Sequence, residues 1–310
     1  TAQISKNGGG VGTYWGYVRA SGDMVAGEYG RSGGVLPMMK IYNDAIVAFN
    51  QLGKRKGAIT MALPCWHFDT PLFLEAKSEV GDLRTKLFDT QLQIVFSDLF
   101  MQMKEDDKMQ TWYMFSPHEV EVKLGFNLND YSGEKFKVKY FEAVSAYKQG
   151  VLKVVSEIIV NDLWKLFLKE VIEKGVPYAV FGDTLQHGNP NKHVGKIHSL
   201  NLCVESSSNF KPDVEAHICS LMSLVVGRCN SKQEIIDVAR DTTRMLANTL
   251  SLTTTPVEIS KVHLDRYRTI GVGIQGLVDY LALNNLTYED IEDVTELAEL
   301  IQYGCVLESL

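Results

Sequence analysis

No apolar run in this chain approaches the roughly twenty residues that a membrane-spanning helix needs, and no secretory signal opens it. A membrane protein built on such helices is therefore not expected. Lysine- and arginine-rich runs are also missing, and 31 basic against 38 acidic residues leave a formal charge of -7. That balance provides no electrostatic footprint for a nucleic-acid backbone, although a single nucleotide needs only a few local cations. Cysteine is sparse, at positions 65, 203, 219, 229 and 305, with no CxxC spacing. An odd, scattered set suggests neither a zinc site nor a secreted disulfide scaffold, and a reducing cytoplasm fits it best. The seven histidines show no HExxH or paired ligand spacing, so no metal site is expected in this chain. Internal repeats, low-complexity tracts and Pro/Ser-rich linkers are absent too, and no domain boundary is assigned within 1–310.

What is present is a globular composition, 310 residues long and 45% hydrophobic, enough for a substantial core. Leu36, Met39, Tyr42, Ile46 and Phe49 recur at three- and four-residue intervals and predict an amphipathic helix. The run 58–63 reads as a buried strand, and 92–96 and 111–115, rich in β-branched and aromatic residues, as two more with a helical turn between them. Residues 134–174 read as helical with a break near Gly150, ended by Gly175 before a strand over 177–181. Ser231-Lys-Gln-Glu234 is a capping box that opens a helix to about Leu250. Strands separated by helices predict parallel pairing and an α/β class.

The densest chemistry lies in Asn201-Leu-Cys-Val-Glu205, where an amide, a thiol and a carboxylate alternate. In an extended segment, alternate side chains share one face, so the three groups could meet one small substrate. A buried cysteine between Leu and Val is the plainer reading. Around this stretch stand, in order, Gly9-Gly-Val-Gly12, Gly16-Tyr-Val-Arg-Ala-Ser-Gly22, Gln51-Leu-Gly-Lys-Arg-Lys-Gly-Ala58, Pro64-Cys-Trp-His67, Glu215-Ala-His-Ile-Cys219 and Arg266-Tyr-Arg-Thr-Ile-Gly-Val-Gly-Ile-Gln-Gly276. Order and spacing resemble the large, catalytic (alpha) subunit of class I ribonucleotide reductase over nearly the whole chain. Leu202 before the cysteine, where cobalamin-dependent relatives carry proline, favours class I.

The resemblance implies a ten-stranded α/β barrel of two five-stranded halves, of which this chain supplies mainly the first half and the Cys203 loop. It implies that Cys203 becomes a thiyl radical and takes the 3′-hydrogen of a ribonucleotide, that Glu205 takes the 3′-hydroxyl proton, and that Asn201 binds the ribose hydroxyls. Cys219 resembles one of two cysteines that reduce the substrate and end as a disulfide, and an accessible, low-pKa thiol is expected there. The backbone amide of Gly10 is expected to meet substrate; an ordinary tight turn is its alternative. Lys6, Arg19, Ala26 and Gly27 fall where the family binds its effector, ATP or a deoxynucleoside triphosphate. Gln51 and Arg55 fall in the loop that carries effector identity to the substrate base, with Leu52 where the family has glycine. The radical is expected from a metal-containing small subunit, with thioredoxin or glutaredoxin as reductant and a second large subunit as dimer partner.

Thr1 and Leu310 read as cuts at both ends. A fragment active only with complementing large-subunit pieces is therefore expected, supplying among other parts the second redox cysteine, and the isolated chain is expected to associate through unpaired strand edges. A catalytically silent nucleotide-binding remnant, kept as a regulatory or assembly module, is the alternative. Gly271-Val-Gly-Ile-Gln-Gly276 fits G-x-G-x-x-G, but a dinucleotide fold would need a strong preceding strand and a full βαβ unit, and the resemblance makes this segment packing.

Overall fold

A computed structural model describes residues 1–25, 30–49, 54–106 and 110–310. These fall into two compact units, Thr1–Phe210 and Lys211–Leu310.

The first unit is organised by a four-stranded parallel sheet. Its strands are β1 (Val11–Tyr14), β4 (Ile59–Pro64), β5 (Gln91–Phe96) and β8 (Tyr178–Phe181), in the order β1-β4-β5-β8. Every residue of β4 is buried, as a central parallel strand covered on both faces requires. Two antiparallel pairs flank the sheet: β2 (Ser21–Val25) with β3 (Gly30–Gly33), and β6 (Thr111–Phe115) with β7 (Val155–Ile159). The helix predicted from its spacing runs Val35–Ala48 and buries Val35, Leu36, Met39 and Ile46 against β4 and Leu92. A second core gathers aromatic rings, with Trp112 stacked on Tyr140 at 4.5 Å between centroids and Phe96 on Phe100 at 5.1 Å.

One departure from expectation lies inside residues 134–174. Two helices, Gly133–Lys148 and Val160–Lys174, are separated by β7 rather than by a simple break. Val155, Ile158 and Ile159 supply β-branched character, and pairing Thr111 with Ile159 through Phe115 with Val155 satisfies their backbone groups. Gly175 ends the second helix at φ 75°, as predicted.

A buried carboxylate ties the β2–β3 hairpin to the sheet. Asp69 accepts hydrogen bonds from the backbone N–H of Ser21 (3.1 Å) and of Val35 (3.1 Å), at the start of the hairpin and of the helix that follows it. His67 is a fully buried core histidine whose Nε2 lies 2.8 Å from the Val18 carbonyl.

The second unit pairs β9 (Leu221–Val225) in parallel with β10 (Gly271–Gln275) and packs the helix Lys232–Leu252 against Ile291–Ser309. The cap is as predicted at Ser231, whose Oγ accepts from the Glu234 N–H at 3.1 Å. Glu234, however, reaches back to the Asn230 N–H at 2.7 Å. The first five G-x-G-x-x-G residues, Gly271–Gln275, form β10 itself, so Gly271 and Gly273 lie within a strand, and Gly276 caps the helix Leu277–Leu283 at φ 67°. A Cβ at Gly271 would meet the end of the Leu221 side chain, which must turn aside to admit it.

Candidate active site

Residues 195–201 belong to no helix or strand, yet this stretch leads directly to Cys203. It lies across the sheet of the first unit. Gly12 pairs with Thr60, and Ala62 with Gln93, so Gly12, Thr60, Ala62 and Gln93 share one face of β1, β4 and β5. That face is small or polar, and the loop rests on it. Thr60 Oγ1 donates to the Leu202 carbonyl at 2.6 Å. Gln93 Nε2 donates to the Asn201 carbonyl at 3.1 Å, and its Oε1 accepts from the Leu200 N–H at 3.3 Å. A Cβ on Gly12 would stand 2.7 Å from the Leu200 carbonyl oxygen, and one on Gly10 would run into Leu202. The two glycines make room for the chain's own loop.

The sequence predicted that Asn201, Cys203 and Glu205 converge by alternation along an extended segment. The structure gathers them in a tight turn instead. The Val204 N–H donates to the Asn201 carbonyl at 3.2 Å, and the Asn201 N–H donates to the Ser206 carbonyl at 3.1 Å. Asn201 Oδ1 accepts from the N–H groups of Glu205 and Ser206, each at 3.0 Å, while its Nδ2 donates to Glu205 Oε1 at 2.8 Å. An asparagine side chain that bonds the backbone ahead of it is a turn-forming device. Val204 takes φ 66°, rare for a β-branched residue. Strain of about 1–3 kcal/mol at such a position persists only where neighbouring bonds over-determine it, and here the Asn201 bonds do so.

Cys203 and Glu205 are exposed and Asn201 half-buried. Desolvation raises the Cys203 thiol pKa, and the Glu205 carboxylate, near enough to charge and hydrogen-bond it, raises it further; Arg55 opposes them. Such surroundings keep the sulfur protonated. They suit hydrogen-atom transfer and disfavour a thiolate nucleophile or metal ligand. Among the described residues no cluster of three His, Cys, Asp or Glu side chains could hold a metal.

Behind the loop lies a cavity at the C-terminal ends of β4, β5 and β8, lined among others by Tyr14, Ser97, Asp183, Lys196 and His198. The Lys196 ammonium donates to the carbonyls of Asn129 (2.7 Å) and Tyr131, and burial brings its pKa down to about 8. His198 packs on the rings of Tyr14, Tyr17 and Phe210. Burial, helped by the Lys196 charge, brings its pKa down to about 4, so the ring is neutral.

The other predicted residues are dispersed. Gly10 lies just before β1 under Leu202, Lys6 closes the short helix Ala2–Lys6 and is exposed, and Arg19, before β2, donates to the Met24 carbonyl. Arg55 is exposed and close enough to bear on Cys203. Ala26, Gly27 and Gln51 lie outside the described residues. Cys219, in the second unit, is exposed and in no disulfide, on the stretch leading to β9. In that unit Glu215 is buried and accepts from Arg266 Nη1 at 2.7 Å and Tyr267 Oη at 3.0 Å. Sequence reasoning passed over Thr60, Gln93 and Gln186. The usable signal was Gln93, a polar residue between Leu92 and Ile94 in the run 92–96, which is otherwise apolar.

A family model described as ribonucleotide reductase, barrel domain, matches residues 1–310. The chain is 41% identical over 312 residues to the ribonucleoside-diphosphate reductase subunit alpha of Synechocystis sp., covering 100% of this chain and 40% of that relative. It is 33% identical over 315 residues to the subunit alpha of Treponema pallidum (94% of this chain, 37% of the relative). Against the ribonucleoside-diphosphate reductase large subunit of Caenorhabditis elegans it is 31% identical over 298 residues (94% and 36%). It thus spans 36% to 40% of the length of these three relatives. The α/β architecture with its parallel sheet, the loop that carries a thiol across that sheet, and a family match along the whole length agree: this chain belongs to the ribonucleotide reductase barrel-domain family.

Proposed function

We propose that the chain works as part of a class I ribonucleoside-diphosphate reductase large subunit, reducing the 2′-carbon of a ribonucleoside diphosphate to make deoxyribonucleotides for DNA synthesis. The observation that carries this reading is the turn at 201–205, where one amide grips a carboxylate that itself bears on an exposed, protonated thiol. In the reaction Cys203, as a thiyl radical, takes the 3′-hydrogen, Glu205 takes the 3′-hydroxyl proton, and Asn201 orients both the carboxylate and the ribose hydroxyls. Cys219 serves as one member of the reducing thiol pair, re-reduced by thioredoxin or glutaredoxin.

The radical comes from a separate metal-containing small subunit. An effector nucleotide, ATP or a deoxynucleoside triphosphate, binds around Lys6, Arg19, Ala26 and Gly27, and the segment with Gln51 and Arg55 relays its identity. The charge of Arg55 bearing on Cys203 supports that placement. The helix Val35–Ala48 leaves Met38, Ile41 and Tyr42 exposed on one side, which supports a second large subunit as partner. No helix among the described residues is long and apolar enough to cross a membrane, and we place the enzyme in the cytoplasm.

The test is reconstitution of the chain with the remaining large-subunit segments, a radical-generating small subunit and thioredoxin. Deoxynucleotide is expected from the parent and none from Cys203→Ser. Equal formation by both would overturn the assignment, and a parent that binds nucleotide without turnover would identify a silent module.

A further inference from the structure

Residues 195–201 have no strand neighbour, yet Ile197 and Ser199 are buried. Buried backbone polar groups need partners, and here side-chain amides provide them. Gln186 brackets Ile197, its Oε1 accepting from the Ile197 N–H at 3.3 Å and its Nε2 donating to the Ile197 carbonyl at 2.5 Å. Three residues on, Gln93 does the same for Leu200, accepting from its N–H at 3.3 Å and donating to its carbonyl at 3.4 Å, with a further bond to the Asn201 carbonyl at 3.1 Å. Each carboxamide presents one donor and one acceptor to one residue, as a neighbouring strand would. Gln93 is fully buried and its backbone is held within β5, paired to β4 and β8.

We propose that Gln93 and Gln186 are positioning residues, two side-chain splints that stand in for a missing strand and hold the backbone leading into the Cys203 turn over the sheet. Gln93 is the critical one. It grips the carbonyl of Asn201, whose side chain aims Glu205, and Glu205 adds to the effect of burial in raising the thiol pKa. The splints follow from geometry alone; what the turn does with them rests on the reductase reading, and the two are tested by different readouts.

The test uses the full chain and requires no turnover. In the parent, residue-resolved hydrogen exchange should show the Ile197 and Leu200 amides protected several-fold over the loop amides at half-buried Leu202 and exposed Cys203. In Gln93→Met, which keeps the side-chain volume and removes both hydrogen-bonding groups, Leu200 should exchange several-fold faster. Cys203 alkylation, followed peptide by peptide, should then rise several-fold at neutral pH, as the thiol is freed from Glu205. Gln186→Met should release Ile197 first. A folded Gln93→Met chain with parental Leu200 exchange and parental Cys203 alkylation would overturn the proposal. Should that variant not fold, the parent decides alone: Ile197 and Leu200 amides exchanging as fast as 202 and 203 would refute the splints.

Discussion

Replacing Gly12 with alanine should disrupt the Cys203 turn more than any change of similar size nearby. The added Cβ would lie 2.7 Å from the Leu200 carbonyl oxygen, 3.0 Å from the Asn201 carbonyl carbon and 3.1 Å from the Asn201 Cα. Comfortable separations between carbon atoms begin near 3.5 Å. All three neighbours are backbone, so no rotamer change relieves them, and the loop must lift by roughly half an ångström or more. Overpacking of this kind costs about 1–3 kcal/mol, and for a unit of this size each kcal/mol lowers Tm by about 2–4 °C. Lifting the loop also draws the Leu202 carbonyl away from Thr60 Oγ1 and the Asn201 carbonyl away from Gln93, the bonds at 2.6 and 3.1 Å. Gly10→Ala provides the contrast, because its Cβ would meet the end of the Leu202 side chain, which can turn aside. Thermal unfolding and peptide-resolved alkylation of Cys203 would be measured for both variants. Gly12→Ala should show the lower Tm and the faster Cys203 alkylation at neutral pH. Parental values for Gly12→Ala would mean that the loop does not cross β1 as described.

Two further outcomes follow from the electrostatics. Glu205→Gln removes the negative charge that opposes the Cys203 thiolate, so its alkylation profile should move to lower pH; a profile unmoved or moved upward would show that the carboxylate does not bear on the thiol. His198 has its pKa depressed from the ordinary 6.5 to about 4, so between these values the unfolded chain binds the proton that the folded chain refuses. Its contribution to stability is therefore fully present above 6.5 and lost as pH falls toward 4. Urea midpoints compared near neutrality and at about pH 5 should fall less in His198→Phe than in the parent, and an equal fall in both would refute this assignment.

Much of the framework was legible because periodicity and burial report on the same faces. The helix at Val35–Ala48 and the strands β4, β5 and β6 stand where spacing and apolar runs placed them. The strand β7 was hidden because Val155–Ile159 sits between two helical patterns, and only its pairing with β6 separates them. The 201–205 turn shows the limit more sharply. The identities of Asn201, Cys203 and Glu205 suggested convergence, but nothing in a valine predicts φ 66°; that conformation is imposed by hydrogen bonds from Asn201 and by a sheet face far away in sequence. Gly10 was read as an approach for a ligand or as an ordinary turn, and the structure adds that the chain's own loop approaches both it and Gly12. The carboxamide of Gln93 was visible as a polar residue in a buried strand, but its partner, more than a hundred residues away, was not.

The most direct test of the central claim is a crystal structure of the chain, assembled with the rest of the large subunit, bound to a ribonucleoside diphosphate and an effector. The ribose 3′-carbon should lie within about 3.5 Å of Cys203 Sγ, a near-attack separation, with the 3′-hydroxyl on Glu205 and Asn201. A nucleotide bound elsewhere, or a ribose turned away from that thiol, would contradict the account.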